Sequence, residues 1–451
     1  MKSAIIIGGG ISGLTFAWQL KQQGFERIRV LEKNPHAGGV IQSSVQDGYL
    51  VETGANEMLL KDVRVAQMLS QLGLDSEILE PAATAQRRFL VHQGSVQPLP
   101  QTPIEFFHTP LYSTRAKLRF FAEPFIGRYR GDADESLADF VTRRLGREFL
   151  DYGLDPLVSG IFAGDPGVLS MASAFPKVHQ LEGKYGSLIR GAVAQVFLKK
   201  IGKMPVFRKR MITFRTGMRA IADALQRELG ESVQTNVTVR SIESGWTVKW
   251  EQNGQSFQEG CDLLVSAVPA YTVSALPFPS DLQRATLFLR KMRYAPVSIV
   301  INGYDRSQVS HSLNGFGFLC PGKEHRDILG TLFSSSLFPN RAPAGKVSLM
   351  TFVGGMRRPE NAALQPEIMQ SLISSELEKL IGVTGAPDFT HHIYWPRAIP
   401  QYLIGHHQIE AQMDALEHQY PGLRLIGNYR GGVGVGDCML SAALAAQGVL
   451  S

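Results

Sequence analysis

A chain of 451 residues, 44% apolar and 19% charged, can bury two or three sizeable cores and is neither disordered nor of low complexity. Its three cysteines, Cys261, Cys320 and Cys438, stand far apart without a CxxC pair, which argues against a disulfide framework, an iron–sulfur cluster or a structural zinc. The net charge of +6 is modest, yet residues 199–219 hold eight basic side chains and no acidic one, a stretch suited to phosphate-bearing partners, either nucleic acid or an anionic membrane.

Met1-Lys2 runs straight into an expected strand, so no signal peptide is expected, and no apolar run reaches the roughly 20 residues of a spanning helix. The expectation is a protein made in, and kept on, the cytoplasmic side of any membrane it touches. Residues 4–7 read as a buried parallel strand. The period of Leu14, Trp18 and Leu20 predicts a helix over 11–23, with Gly24 placed to end it, and 29–32 reads as a second strand.

Between them, Gly8-Gly9-Gly10-Ile11-Ser12-Gly13 fits G-x-G-x-x-G. The first glycine permits a tight turn, the second lets backbone approach a pyrophosphate, and the third lets helix pack on strand. The helix start offers free N–H groups and a positive dipole end. Glu32 then ends the second strand, where a carboxylate can accept bonds from a ribose. A glycine turn without ligand would need neither this context nor this acid.

Residues 102–130 interleave Phe106, Phe107, Tyr112, Phe120, Phe121, Phe125 and Tyr129 with Arg115, Lys117, Arg119, Arg128 and Arg130. Residues 187–201 have helical period, with Ile189, Val193, Val196 and Phe197 on one face and Arg190, Lys199 and Lys200 nearby. A monotopic membrane contact, nucleic-acid binding and an ordinary solvated helical domain all fit such segments. No nucleic-acid module is recognisable, which leaves the membrane contact and the solvated domain open. Further on, 233–242 and 262–268 read as strands of the dinucleotide unit, and 292–354 as short β runs with glycine turns. At the end come a strand over 424–427, a glycine-rich turn and an Ala-rich helix over 441–448. The dinucleotide unit is therefore expected to draw on both chain ends. No histidine spacing suits a metal, and no Ser/His/Asp or Cys/His constellation appears.

Leu31-Glu32-Lys33 followed by Gly38-Gly39, and Val51-Glu52-Thr53-Gly54-Ala55-Asn56, resemble the fingerprint of the flavin-containing amine oxidase superfamily. So do Trp395-Pro396-Arg397-Ala398-Ile399-Pro400-Gln401-Tyr402 and the run from Gly427-Asn428-Tyr429 through Gly432-Val433-Gly434-Val435-Gly436 to Asp437-Cys438. The resemblance implies FAD rather than NAD. It implies cofactor contacts from Gly8, Gly9, Gly10, Ile11, Ser12, Gly13, Glu32, Lys33, Gly39, Val40, Gly54, Ala55, Asn56, Glu57, Val239, Trp395, Val433, Gly434 and Val435. Val40 stands where many members have arginine, so a phosphate contact from that side chain is missing.

Within the superfamily, Ser159-Gly160-Ile161-Phe162-Ala163-Gly164-Asp165-Pro166, Leu169-Ser170-Met171, Ala174-Phe175-Pro176-Lys177-Val178, Gly315-Phe316-Gly317 and the run from Gly330 to Pro343 resemble the protoporphyrinogen oxidase family, in its plant-like branch. That resemblance spans essentially the whole chain. It implies an α/β chain (α+β overall): a discontinuous Rossmann-like FAD-binding domain (1–85, 213–280, 395–451), a mixed-sheet substrate domain (86–108, 178–212, 281–394) and a mainly helical membrane-binding domain (109–177). It implies that Arg88 binds a propionate, that the Gly160 carbonyl faces the pyrroles and that Phe316 stacks on the tetrapyrrole.

The implied reaction takes six electrons from protoporphyrinogen IX in three hydride transfers to flavin, with oxygen reduced to hydrogen peroxide and no protein general base. The implied partners, beyond the porphyrinogen and oxygen, are a second copy of the chain, ferrochelatase and the inner face of the cell membrane, with no nucleic acid. Three other readings stay open: a coproporphyrinogen III oxidase, a non-catalytic escort protein on the same fold, and an amine oxidase.

Overall fold

The computed structural model describes residues 2–129, 131, 133–202 and 207–449; Arg130 of the aromatic–basic segment and Lys203 of the basic stretch lie outside the described residues. Five parallel strands form the first sheet, in the order Val233–Gln234, Arg27–Leu31, Ser3–Ile7, Leu263–Ser266 and Leu423–Leu425. Their apolar runs suit strands covered on both faces. The register pairs Ile7 with both Leu31 and Ser266, and Ser266 with Leu425, so the carboxyl ends lie level. The loops that follow therefore share one edge of the sheet, the usual ligand crevice of such folds. Against the sheet pack the helices Ile11–Gln22, Arg219–Leu229 and Val435–Gln447.

A seven-stranded sheet follows the order Phe389–Pro400, Tyr294–Asp305, Lys346–Gly354, Ile328–Leu332, Gly317–Leu319, Arg88–His92 and Ser95–Pro98. All its pairings are antiparallel except that of Gly317–Leu319 with Arg88–His92. Its helix-covered face is a core of Val300, Tyr304, Phe318, Phe333, Ile373 and Leu377. Helices from Pro103–His108 to Leu188–Lys200 make a third layer around Tyr112, Phe140, Phe149 and Phe162, which reaches Leu319, Tyr402 and Val433 of the other parts.

Three expectations need correction. Residues 233–242 are two strands: Asn236 takes φ 55°, a left-handed turn that asparagine tolerates, and Val237–Glu243 leaves to form a separate three-stranded antiparallel sheet. The last helix begins at Val435 rather than 441, because its glycine-containing first turn packs on Met58 and the Leu59 carbonyl. The β runs of 292–354 include one long strand, Tyr294–Asp305, fully buried from Val297 to Tyr304.

The aromatics of the aromatic–basic segment divide. Phe106, Tyr112 and Phe120 join the Phe149 ring in the core, with Tyr112 stacked at 4.4 Å between centroids. Phe107, Phe121, Phe125 and Tyr129 stay exposed, as do Val193, Val196 and Phe197 on the helix Leu188–Lys200, with Phe125 86% exposed. Among the described residues no helix is long and apolar enough to cross a membrane.

Candidate active site

The first helix starts at Ile11 with Gly10 as an extended N-cap and no side-chain cap, so its leading N–H groups are left for a ligand. The helix Val435–Gln447 begins in the same way, with Gly434 as an uncapped N-cap. The two helices share one core near their starts, with Ile11 and Leu14 of the first beside Cys438 and Met439 of the last.

Glu32 is buried at the end of its strand; Oε2 accepts the Gly9 N–H at 2.8 Å, and Oε1 accepts the Asn34 N–H and side-chain amide at 2.9 and 2.8 Å. A carboxylate offers about four lone-pair sites, so capacity remains for a ribose hydroxyl. The Val237 N–H bonds the Glu32 carbonyl at 2.9 Å, which carries Val239, two residues on, to the same corner. Lys33 is exposed beside it.

Gly38 docks on this turn, its N–H bonded to the Gly9 carbonyl at 2.8 Å, and Gly39 lies against Gly10. Gly10 itself faces open space, as a backbone that must meet a pyrophosphate requires. At Gly54 a Cβ would stand 2.4 Å from the Val40 carbonyl oxygen, so only glycine lets these two segments touch. Thr53 Oγ1 also donates to that carbonyl at 3.0 Å, and Trp395 Nε1 donates to the Thr53 carbonyl at 2.6 Å. Asn56 bonds Glu57 through its amide. Segments remote in sequence thus converge on one edge, and uncapped helix ends, carboxylate and glycine-lined space together fit FAD.

Two acids lie beneath, Glu52 buried and Glu57 half-buried. Burial pushes Glu52 up to about 7 against bonds from Ser43 and the Met218 N–H. Burial also pushes Glu57 up to about 6, opposed by its bond from Asn56 and by the charges of Arg88 and Arg341.

Arg88 opens the strand Arg88–His92 and pairs with Gly317, so it adjoins Phe316, over whose ring its guanidinium lies 5.1 Å from the centroid. Gly160 sits in the last turn of the helix Asp155–Phe162, where carbonyls have no helical partner. Its Cβ position is 3.3 Å from Leu319, two residues past Gly317. Arg88, Phe316 and Gly160 therefore gather around one short strand. Leu332 packs against the Leu337–Phe338 cluster, which Phe316 also joins, and against the cluster that Trp395 joins, so apolar packing runs from the candidate substrate residues to the candidate cofactor residues. Sequence reasoning gave no role to Asn34, Leu319 or Leu332; two are plain apolar residues, Leu332 within a run that carried the resemblance, and Asn34 carried no motif.

Residues 11–450 match the family model for flavin containing amine oxidoreductase. The chain is 33% identical to the mitochondrial protoporphyrinogen oxidase of Nicotiana tabacum, over all of this chain and 95% of that one. It is 29% identical to the coproporphyrinogen III oxidase of Bacillus subtilis, over 97% of this chain and 96% of that one. A crystal structure from Exiguobacterium sp. 255-15 has the same fold, with TM-score 0.82 and 22% identity over 99% of this chain and 98% of the other. The chain is thus an FAD-dependent oxidoreductase, and it belongs to the flavin containing amine oxidoreductase family.

Proposed function

We propose that this enzyme oxidises protoporphyrinogen IX to protoporphyrin IX, with oxygen as the final acceptor and hydrogen peroxide as the reduced product. The observation that carries the reading is the Arg88–Phe316 pair, joined by apolar packing to Trp395: a cation for a carboxylate beside a ring face for a flat macrocycle. The name of the Nicotiana relative supports it. The parallel-sheet unit would hold FAD, the seven-stranded sheet the substrate, and the helical layer the membrane, with the boundaries given above.

Bound FAD supplies the two-electron oxidation. The chain's own residues bind and orient. Arg88 holds a propionate through its fork of donors, Phe316 takes the macrocycle face, and the Gly160 carbonyl accepts a pyrrole N–H. The apolar packing through Leu332 and Trp395 keeps water off the reacting carbons. No side chain needs to act as a general base.

Arg88→Ala should raise KM about tenfold or more, the cost of a charge-assisted bond, with a smaller change in kcat. Porphyrin fluorescence in steady state measures both; an unchanged KM removes Arg88 from substrate binding. Running both porphyrinogens in that assay separates the two substrates. Faster turnover of coproporphyrinogen would favour the reading that the Bacillus relative suggests.

The enzyme would sit on the inner face of the cell membrane. Phe125, Val193, Val196 and Phe197 would enter the lipid boundary, with Arg128, Arg190 and Lys200 on anionic headgroups. The poor solubility of a flat product supports direct hand-over to ferrochelatase, and a homodimer completes the proposal. A Phe125→Asp/Phe197→Asp variant should lose most co-sedimentation with phosphatidylglycerol vesicles and keep its flavin. Equal pelleting of variant and wild type would move the contact elsewhere.

A further inference from the structure

Residues 401–403 cross from the seven-stranded sheet to the last glycine loop, and Gln401 and Tyr402 are buried there. The Tyr402 hydroxyl donates to the Asn428 carbonyl at 2.8 Å and accepts the Gly432 N–H at 2.9 Å. It thereby spans the loop leading to the helix Val435–Gln447. That loop is rich in glycine, with Gly427, Gly431 and Gly432 at φ of 153°, 81° and 126°, and its other ties run from the Arg430 side chain to Asp414 and Glu417 and from the Cys438 thiol to the Gly432 carbonyl. Burial holds the phenol well above its ordinary range, so the hydroxyl stays a donor. The ring stacks on His406 at 4.1 Å, and the Tyr402 carbonyl accepts the Ser170 N–H at 2.8 Å.

Gln401 ties the other side. Its Nε2 donates at 2.8 Å to the Phe162 carbonyl, at the end of the helix that carries Gly160, and at 3.0 Å to the Ile399 carbonyl.

We infer that Tyr402 is a positioning residue for the cofactor loop, and that Gln401 joins that loop to the Gly160 helix end, holding cofactor and substrate walls in one register. The Tyr402 half rests on FAD binding at the two uncapped helix starts; the Gln401 half rests also on the proposed role of Gly160. Without the hydroxyl, the Gly432 N–H and the Asn428 carbonyl lose their shared partner, and the N–H groups that follow lose their fixed aim.

The test compares wild type, Tyr402→Phe, Gln401→Met and, as a control, Tyr420→Phe, whose hydroxyl makes a 2.8 Å bond to Asp281 on the outer surface. Each apoprotein is titrated with FAD by flavin fluorescence, and the visible spectrum of the bound flavin and the melting temperature of the apoprotein are recorded. For Tyr402→Phe the dissociation constant should rise about tenfold and the flavin bands should shift, with the apoprotein melting as wild type does. Tyr420→Phe should match wild type in all three. Gln401→Met should bind FAD within about twofold of wild type yet turn over more slowly at saturating FAD and substrate.

An unchanged affinity and spectrum in Tyr402→Phe overturns the assignment, as does a loss that only tracks a lower apoprotein melting temperature. Unchanged turnover in Gln401→Met overturns its half. A wild-type protein that takes up no FAD removes the cofactor reading beneath both, a different result from either.

Discussion

Gly13→Ala should give a colourless protein. A Cβ at this position would lie 2.0 Å from the Gly8 carbonyl oxygen and 3.1 Å from the Ala267 Cβ. The nearest obstacle is backbone at the end of the central strand, which cannot swing aside as a side-chain tip would. Relief requires the helix start to move away from the sheet by an ångström or more, and such overpacking costs about 1–3 kcal/mol. The larger loss falls on the ligand, because the N–H groups of Ile11, Ser12 and Gly13 would no longer face the place that Gly10 leaves open. A drop in FAD affinity of at least about a hundredfold is expected for an array of charge-directed bonds lost together. The flavin absorbance of the purified protein, per mole of chain, measures it, and wild-type stoichiometry would contradict the account.

That prediction could be drawn in outline from residues 8–13 alone, because the strand–turn–helix pattern is local and each glycine has a steric reason. The same holds for Glu32, fixed by the end of a five-residue strand. The split at Asn236 was less legible: Val233 to Ile242 alternates like one strand, and a single left-handed residue decides otherwise. The candidate substrate wall was not legible by pattern at all. Arg88 meets Phe316 only because two short strands far apart in sequence pair in parallel, and no periodicity encodes that register. Family resemblance supplied those residues, and the geometry brings them together. Tyr402 lay in a segment that the resemblance marked, but its partners are backbone atoms of another segment, and only the fold could reveal them.

The second large effect is expected in the helical layer. Arg144 is fully buried and places its guanidinium between two buried carboxylates, 3.1 Å from Glu123 and 2.5 Å from Glu182, with further bonds to the carbonyls of Ile126 and Gly186. Glu123 in turn accepts the N–H groups of Leu188 and Ile189 and the Ser187 hydroxyl, which caps the helix Leu188–Lys200. Arg144→Ala leaves two acids in the core without the cation they share, and breaking such a buried set costs about 3–5 kcal/mol.

The pH dependence follows from Glu182. Burial raises its carboxyl, but bonds from Arg143 and Arg144 outweigh that and hold it below its ordinary value. A depressed acid stabilises the fold above its unfolded pKa, and the benefit fades as pH falls through the folded value. In the variant Glu182 keeps Arg143 alone, so its carboxyl is held down less and takes up its proton sooner. The stability gap between wild type and Arg144→Ala should therefore be widest near neutrality and narrow on acidification, as denaturant melts at several pH values would record. Because the capped helix carries Val193, Val196 and Phe197, vesicle binding should fall with it. The parallel sheet makes none of these contacts, and the variant should keep its flavin. Loss of flavin together with vesicle binding would mean that the helical layer and the parallel sheet unfold as one unit, and the ion cluster would then be a support of the whole molecule.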